Sequence, residues 1–469
     1  MPVTAQLSDA KRTLLAKYVA GKARNAVSGS NTIVRRDERT TAPLSLSQEE
    51  LWKRELRVPE IPPLYNECVT IHMNGQLDVT ALEWALTEIV RRHEIWRTRF
   101  ETDCGRPVQT CQQAQPVDLP IVNLSNFPEA ERDQQALRII NAECKRPFDV
   151  QHQPPLRPIL LRISETEHRL YLIAHQIVLD GVSAYQIFPS ELAELYRAFL
   201  EDRPPNLPEL SIQCADFACW QRQWIEQVRD KQLAYWRQQL GVNSPAQNWP
   251  GGAPRHAQRT YRGVIRPFEF SAEVSRNIRA FSSRQNTTLF STLLAGFAAL
   301  LHRYTQHTDV IIGTLSPCGR KRIETIGLLG YFLNPVALRF NFEGNPAFDV
   351  LIRQAQRVMA EAICNDDVPI EELAREIKGE DSSPSQFFRA ALSLQPSTPS
   401  LGLDWSVTSM DVESGGSPWE LYIAFIDKPQ GLIGRIQFDP GVFHDEAIER
   451  LLADLQDLLE AKCLTSVNN

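Results

Sequence analysis

The sequence predicts a mixed α/β protein built from two halves of similar size. Strand-like and helix-like periodicities alternate from Pro43 to the C-terminus. One stretch rich in Pro, Gly, Asn and Gln, residues 238–261, interrupts that alternation near the middle. The length, 469 residues, exceeds what one small core needs, at roughly 100–200 residues per domain. These boundaries give a leader or linker over 1–42, an N-terminal lobe over 43–237, a connector over 238–261 and a C-terminal lobe over 262–469.

Composition narrows the class. Hydrophobic residues make 43% and charged residues 23%, which excludes disordered, collagen-like and coiled-coil chains. Lys+Arg 50 against Asp+Glu 57 gives a net charge of −7, so a nucleic-acid surface is not the expectation. No run approaches the roughly 18 apolar residues of a membrane span. The N-terminus lacks the apolar core and cleavage site of a secretory signal, so a cytoplasmic protein is expected. Nine cysteines without a CxxC pair argue for reduced thiols and against a zinc module.

The elements follow in order. The leader carries one short amphipathic helix near Leu7–Val19 and should lie outside the core. Val69–Met73 reads as a strand. Asp78 is an N-cap for a helix over Val79–His93, whose Leu82, Leu86, Ile89 and Val90 fall on one face. Leu137–Cys144 belongs to a second helix, and Pro158–Ile163 and Arg169–His175 read as strands. Ser183–Leu200 returns to helical spacing, with Pro189 marking a kink or restart. Trp220 and Trp224 sit at helical spacing, where core packing is the simple explanation. In the second half, Thr287–Tyr304 and Ala347–Ala362 read as helices and Val310–Thr314 as a strand. Ile423–Asp427 and Gly431–Phe438 are strands about a turn at Lys428-Pro429-Gln430, and Asp445 caps a last helix.

Chemistry concentrates in His175-Gln176-Ile177-Val178-Leu179-Asp180-Gly181. An apolar strand runs into His175 and Gln176, and Asp-Gly then leads into a helix. Polar groups at a strand end before a tight turn are well placed to face a cleft. On residue types alone, a satisfied strand-end histidine explains the pattern as well.

The segment resembles the HHxxxDG motif of the condensation-domain family of non-ribosomal peptide synthetases, at every fixed position but one. That family shares the fold of chloramphenicol acetyltransferase. Five further segments are similar to its motifs, in its order. Ser45-Leu46-Ser47-Gln48 with Leu51-Trp52 resembles SxAQxRLW, and Arg92 through Phe100 resembles RHExLRTxF. Asp216 through Gln221 resembles YxDYAxWQ. Ile326-Gly327 with Gly330 through Asn334 resembles IGxFVNT with an insertion. Asp367-Val368-Pro369 resembles the DVP of HQDVPF.

The resemblance implies two acetyltransferase-like lobes arranged as a V-shaped pseudo-dimer with a tunnel between them. It implies an acyltransferase that joins a carrier-bound acyl or peptidyl thioester to an amine. Donor and acceptor carrier proteins would be the partners, and their phosphopantetheine arms would bring the substrates to a monomeric domain. The domain itself would hold no cofactor or metal. Basic segments around Arg91–Arg99 or Arg320–Arg322 could meet acidic carriers.

By the same resemblance His175, Gln176 and Gly181 are the catalytic candidates, with His175 holding the loop and the Gly181 N–H facing the oxyanion. Asp180 would be structural, paired with Arg97 or Arg92. Ser316 and Asn334 would line the tunnel. Gln176 departs from the motif, because the second His is the one assigned to catalysis. A carboxamide has no useful basicity and can only orient the amine or donate to a developing oxyanion. Glu50, Asn365 and Pro384 also depart from family positions. A second reading is therefore a non-catalytic domain that recruits carriers or a tailoring enzyme.

Overall fold

The computed structural model describes residues 32–37, 41–57, 63–241, 261–379, 382, 384–395, 397–408 and 412–465. The expected leader helix and most of the expected connector lie outside the described residues.

The first half contains β1 (Thr41–Pro43), α1 (Leu46–Arg57), β2 (Asn66–Asn74), α2 (Val79–Arg92), β3 (Thr98–Asp103) and β4 (Arg106–Cys111). It continues with β5 (Ile121–Asn123), α3 (Glu129–Cys144), β6 (Leu156–Arg162), β7 (Glu167–His175), α4 (Phe188–Leu200) and α5 (Cys214–Leu240). The second half contains β8 (Val264–Glu269), α6 (Ala272–Arg284), α7 (Leu289–Thr305), β9 (Asp309–Ser316), β10 (Asn334–Asn341), α8 (Phe348–Cys364) and α9 (Ile370–Lys378). It ends with β11 (Ala390–Gln395), β12 (Trp405–Thr408), β13 (Leu421–Lys428), β14 (Gly431–Phe438) and α10 (Asp445–Thr465).

Sequence accounts for most of these elements. The Asp78 carboxylate accepts from the Ala81 N–H at 2.9 Å and starts α2, whose buried stripe contains Leu82, Leu86 and Ile89. The restart at Pro189 takes the form of a π turn over Ser183–Ile187 before α4. Lys428 pairs with Gly431, so β13 and β14 form a hairpin with Pro429 and Gln430 in its loop.

Each half has its own sheet. The first is five-stranded, in the order β12-β2-β7-β6-β5, and the second six-stranded, β10-β9-β11-β13-β14-β8. Strands β1, β4 and β3 form a small third sheet. The two halves are not closed units. Strand β12 comes from the second half and pairs antiparallel with β2, Trp405 opposite Met73. Helix α5, 27 residues or about 40 Å long, supplies Phe217 to the first core and Leu233, Trp236 and Leu240 to the second. It also runs three residues into the expected connector.

The leader is not wholly outside the core, as its far end shows. Ile33 is buried in the first core, and its N–H donates to Glu324 Oε1 at 3.3 Å. The Arg36 guanidinium donates to Asp216 at 2.9 Å. Residues 33–36 are thus fixed by one apolar contact and one partly buried ion pair. Trp220 and Trp224 stack on each other at 5.7 Å, half-buried at the surface, with the Arg322 guanidinium 4.9 Å from the Trp220 ring. Trp220 also packs against buried Phe217 at the edge of the first core, 5.9 Å between ring centroids.

Candidate active site

Strand β7 delivers the motif. It pairs antiparallel with β2, Asn66 opposite His175, and one residue further the Gln176 N–H donates to the Tyr65 carbonyl at 2.7 Å. Side chains alternate across a strand and directly opposed residues share a face. His175 and Asn66 therefore share one face, and Gln176, Tyr65 and Glu67 the other.

Asn66 donates to the carbonyls of Cys144 and Arg146. His175 is fully buried. Its Nδ1 accepts from the Ile177 N–H at 3.1 Å, which holds the turn. Tyr65 and Phe148 meet the imidazole edge-on at 5.9 and 6.4 Å. Gln176, Tyr65 and Glu67 line a cavity of about 1080 Å³, together with Asn66 and Gly181. Its walls come from both halves: Leu289, Phe290, Met359, Trp419 and Tyr422 face it from the second. Most of the lining is apolar, which suits an acyl chain.

Behind the loop lies a dense polar clasp centred on Arg320. Its Nε and one terminal nitrogen donate to the two Asp180 oxygens at 3.0 and 2.8 Å. The same terminal nitrogen also donates to Ser183 Oγ at 2.8 Å, and the other to the Thr325 and Leu328 carbonyls at 2.9 and 2.7 Å. All five N–H groups of the guanidinium are used. The Phe332 ring lies 4.3 Å beneath it. Asp180 accepts in addition from the N–H groups of Ser183 and Phe332. A carboxylate this deeply buried needs such compensation.

Arg320, not Arg97 or Arg92, is therefore the partner of Asp180. Arg97 donates to the carbonyls of Val90 and Gln112, because β4 brings Gln112 to it. Arg92 pairs with Glu191 of α4 at 3.1 Å. His93 Nε2 donates to Glu191 Oε2, 2.8 Å away, and its Nδ1 accepts from the Leu329 N–H. Burial would raise the Glu191 carboxyl, but the hydrogen bonds from His93 and Arg92 and the Arg92 charge outweigh it and hold it below its ordinary range.

The other matched segments also converge on the loop. Gln48 donates to the Ile177 carbonyl at 3.0 Å, and Trp96 to the Val178 carbonyl at 3.3 Å. Asp216 caps α5 by accepting from the Gln213 N–H, and Gln213 donates to the Arg92 carbonyl. Asn334 lines the cavity, yet its amide is spent on the Asp366 and Val368 carbonyls and the Ile370 N–H. Ser316 does not reach the cavity. It is fully buried and donates to Asp366 at 2.6 Å, while Lys321 pairs with the same carboxylate. Burial pushes the Asp366 carboxyl up to about 6, despite that lysine.

The segment Arg320–Arg322 is not a free cationic patch. Arg320, Lys321 and Arg322 are spent on Asp180, Asp366 and the Trp220 ring. Arg91 pairs with Glu88 and Arg92 with Glu191. Sequence reasoning missed Arg320 as a partner, although the residue was visible as basic. It also missed the charged pairs at the cavity. Glu50, at a family arginine position, receives both terminal nitrogens of Arg375 at 3.2 and 3.1 Å. Beside it Arg54 donates to Tyr65 Oη at 2.8 Å and to Glu371 at 3.0 Å. Burial raises the Glu371 carboxyl even so. Among the described residues no cluster of His, Cys, Asp and Glu could hold a metal, and no helix is long and apolar enough to cross a membrane.

Two α/β halves, each with its own sheet and with a cavity between them, have the chloramphenicol-acetyltransferase type of fold. The chain belongs to the condensation-domain family: the model of that family matches residues 38–465. It is 34% identical over 426 residues to one of the subunits of the linear gramicidin synthase of Brevibacillus parabrevis, covering 89% of this chain and 8% of that protein. The chain spans only 6–8% of the length of three gramicidin synthase subunits it matches. The first condensation domain of the calcium-dependent antibiotic synthetase, in complex with a substrate analogue, superposes with a TM-score of 0.78 at 21% identity, covering 90% of this chain and 97% of that one. The complex of the X-domain and OxyB from teicoplanin biosynthesis matches with a TM-score of 0.76 at 25% identity, covering 93% and 96%.

Proposed function

We propose that this domain transfers an acyl or peptidyl group from a carrier-bound thioester to an amine, forming an amide in non-ribosomal peptide synthesis. One observation carries the reading: the loop that the clasp holds in place presents Gln176 and Gly181 to a cavity with walls from both halves. Phosphopantetheine arms on donor and acceptor carriers would deliver both reactants there. The Gly181 N–H would face the oxyanion of the tetrahedral adduct, and the Gln176 carboxamide would orient the amine or donate to the same oxygen. An amine attacks a thioester without prior deprotonation, so positioning supplies much of the rate. Alcohol acceptors need a base more, and amide formation is accordingly favoured over ester formation.

The second reading is a recruitment platform without turnover. Gln176 favours it, and so does the likeness to a domain whose solved complex contains OxyB. The test is amide formation from loaded donor and acceptor carriers, with carrier binding measured alongside. The first reading expects product from the wild-type chain above the no-enzyme rate. Carrier binding with product only at the no-enzyme rate would establish the platform instead.

A further inference from the structure

We propose that Glu67 takes the proton that the missing second histidine would take, an inference that rests on the amide-forming reading. Register places it. Tyr65 pairs with Gln176, and Glu67 lies two residues further along β2 on the same face. With about 3.3 Å per residue and 4.8 Å between strands, the Gln176 and Glu67 Cα atoms stand about 8 Å apart. An acceptor nitrogen held between the two side chains would meet both. Both line the one cavity, and the Glu67 side chain keeps 30% of its surface exposed.

The other cavity carboxylates are otherwise engaged. Glu50 carries two contacts from Arg375, and Glu371 is bound by Arg54. Asp427 pairs with Arg279 at the far end of β13. Asp180 is enclosed by Arg320. Glu67 meets Arg435 across the junction of the halves at a longer distance, 3.5 Å. That guanidinium aims the carboxylate without enclosing it.

In the reaction, the acceptor nitrogen attacks the thioester carbonyl carbon, the N–C bond forms and the carbonyl oxygen takes the negative charge. A Glu67 carboxylate oxygen accepts the proton from the cationic nitrogen. The adduct collapses, the C–S bond breaks, and the departing pantetheine thiolate recovers that proton. A carboxylate beside the cationic nitrogen also stabilises it electrostatically in a site of low dielectric.

The experiment measures single-turnover amide formation with loaded carriers for the wild type, Glu67→Gln, Glu67→Asp, Gln176→His and the double variant Glu67→Gln/Gln176→His, with unfolding midpoints. Glu67→Gln is expected to lower the rate about a hundredfold, and Glu67→Asp, which keeps the charge but retracts it, about tenfold. The double variant should recover most of the loss, because the new imidazole supplies a base. Folded Glu67→Gln and Glu67→Asp proteins as fast as wild type would overturn the inference alone. So would a slow double variant whose Gln176→His parent is fast. No product from the wild type would overturn the amide-forming reading and this inference with it.

Discussion

The two sides of the HQIVLDG loop are built differently. Behind it, Asp180 takes contacts from Nε and one terminal nitrogen of Arg320 and from two backbone N–H groups, and Ser183 Oγ exchanges bonds with the Gly330 backbone. Gly330 itself has φ +155°, and a Cβ there would stand 2.5 Å from Cys214 Sγ. In front of the loop, Gln176 and Gly181 face an open and mainly apolar space. The matched motif residues Gln48, Trp96 and Phe332 bind the loop from behind or from its flanks. The motif position that departs faces the front. Retained motif residues therefore speak first for the shape of the loop, and only the cavity face speaks for its chemistry.

That division can be broken by substitution. The largest effect should come from Arg320→Leu, which strands the Asp180 carboxylate in the interior. Removing one partner of a buried pair costs about 3–5 kcal/mol, read as a lower denaturation midpoint at constant denaturant slope. A loss below about 1 kcal/mol would mean that the clasp does not hold the loop.

Acid sensitivity gives a subtler contrast. The Glu191 carboxyl is held below its ordinary value of 4.5 against the opposing effect of burial. Its contribution to stability is present above pH 4.5 and is lost as pH falls through the lowered native value. Glu191→Gln should therefore flatten part of the stability loss below pH 4.5 while lowering stability at neutral pH. An unchanged acid profile would show that His93 and Arg92 do not secure this carboxylate.

Much of the fold is legible in the sequence because it follows from local periodicity. The Asp78 cap, the α2 stripe and the β13–β14 hairpin depend on neighbours in the chain, and each lies where spacing puts it. What local spacing does not encode is pairing across distance. Asp180 and Arg320 are 140 residues apart, and Arg92 and Arg97 looked equally suitable because all three are simply arginines until the chain folds. Strand β12 is four residues long and joins the sheet of the other half, a crossing that its own sequence does not announce. Ile33 and Arg36 stand in a polar stretch whose hold on the core comes from Asp216, 180 residues on from Arg36. At the site, the motif exposed the departure at Gln176, whereas Glu67 is visible only through the register of β2 against β7.

The division between the two sides meets its most direct test at Gln176. Single-turnover amide formation and the unfolding midpoint should be measured for wild type and Gln176→Ala side by side. With Gln176 on the cavity face, stability should change by less than about 0.5 kcal/mol. The rate should fall about three- to tenfold, the worth of one positioning hydrogen bond. A large loss of stability, or a rate equal to that of wild type, would contradict a front face that does chemistry and a back face that holds the fold.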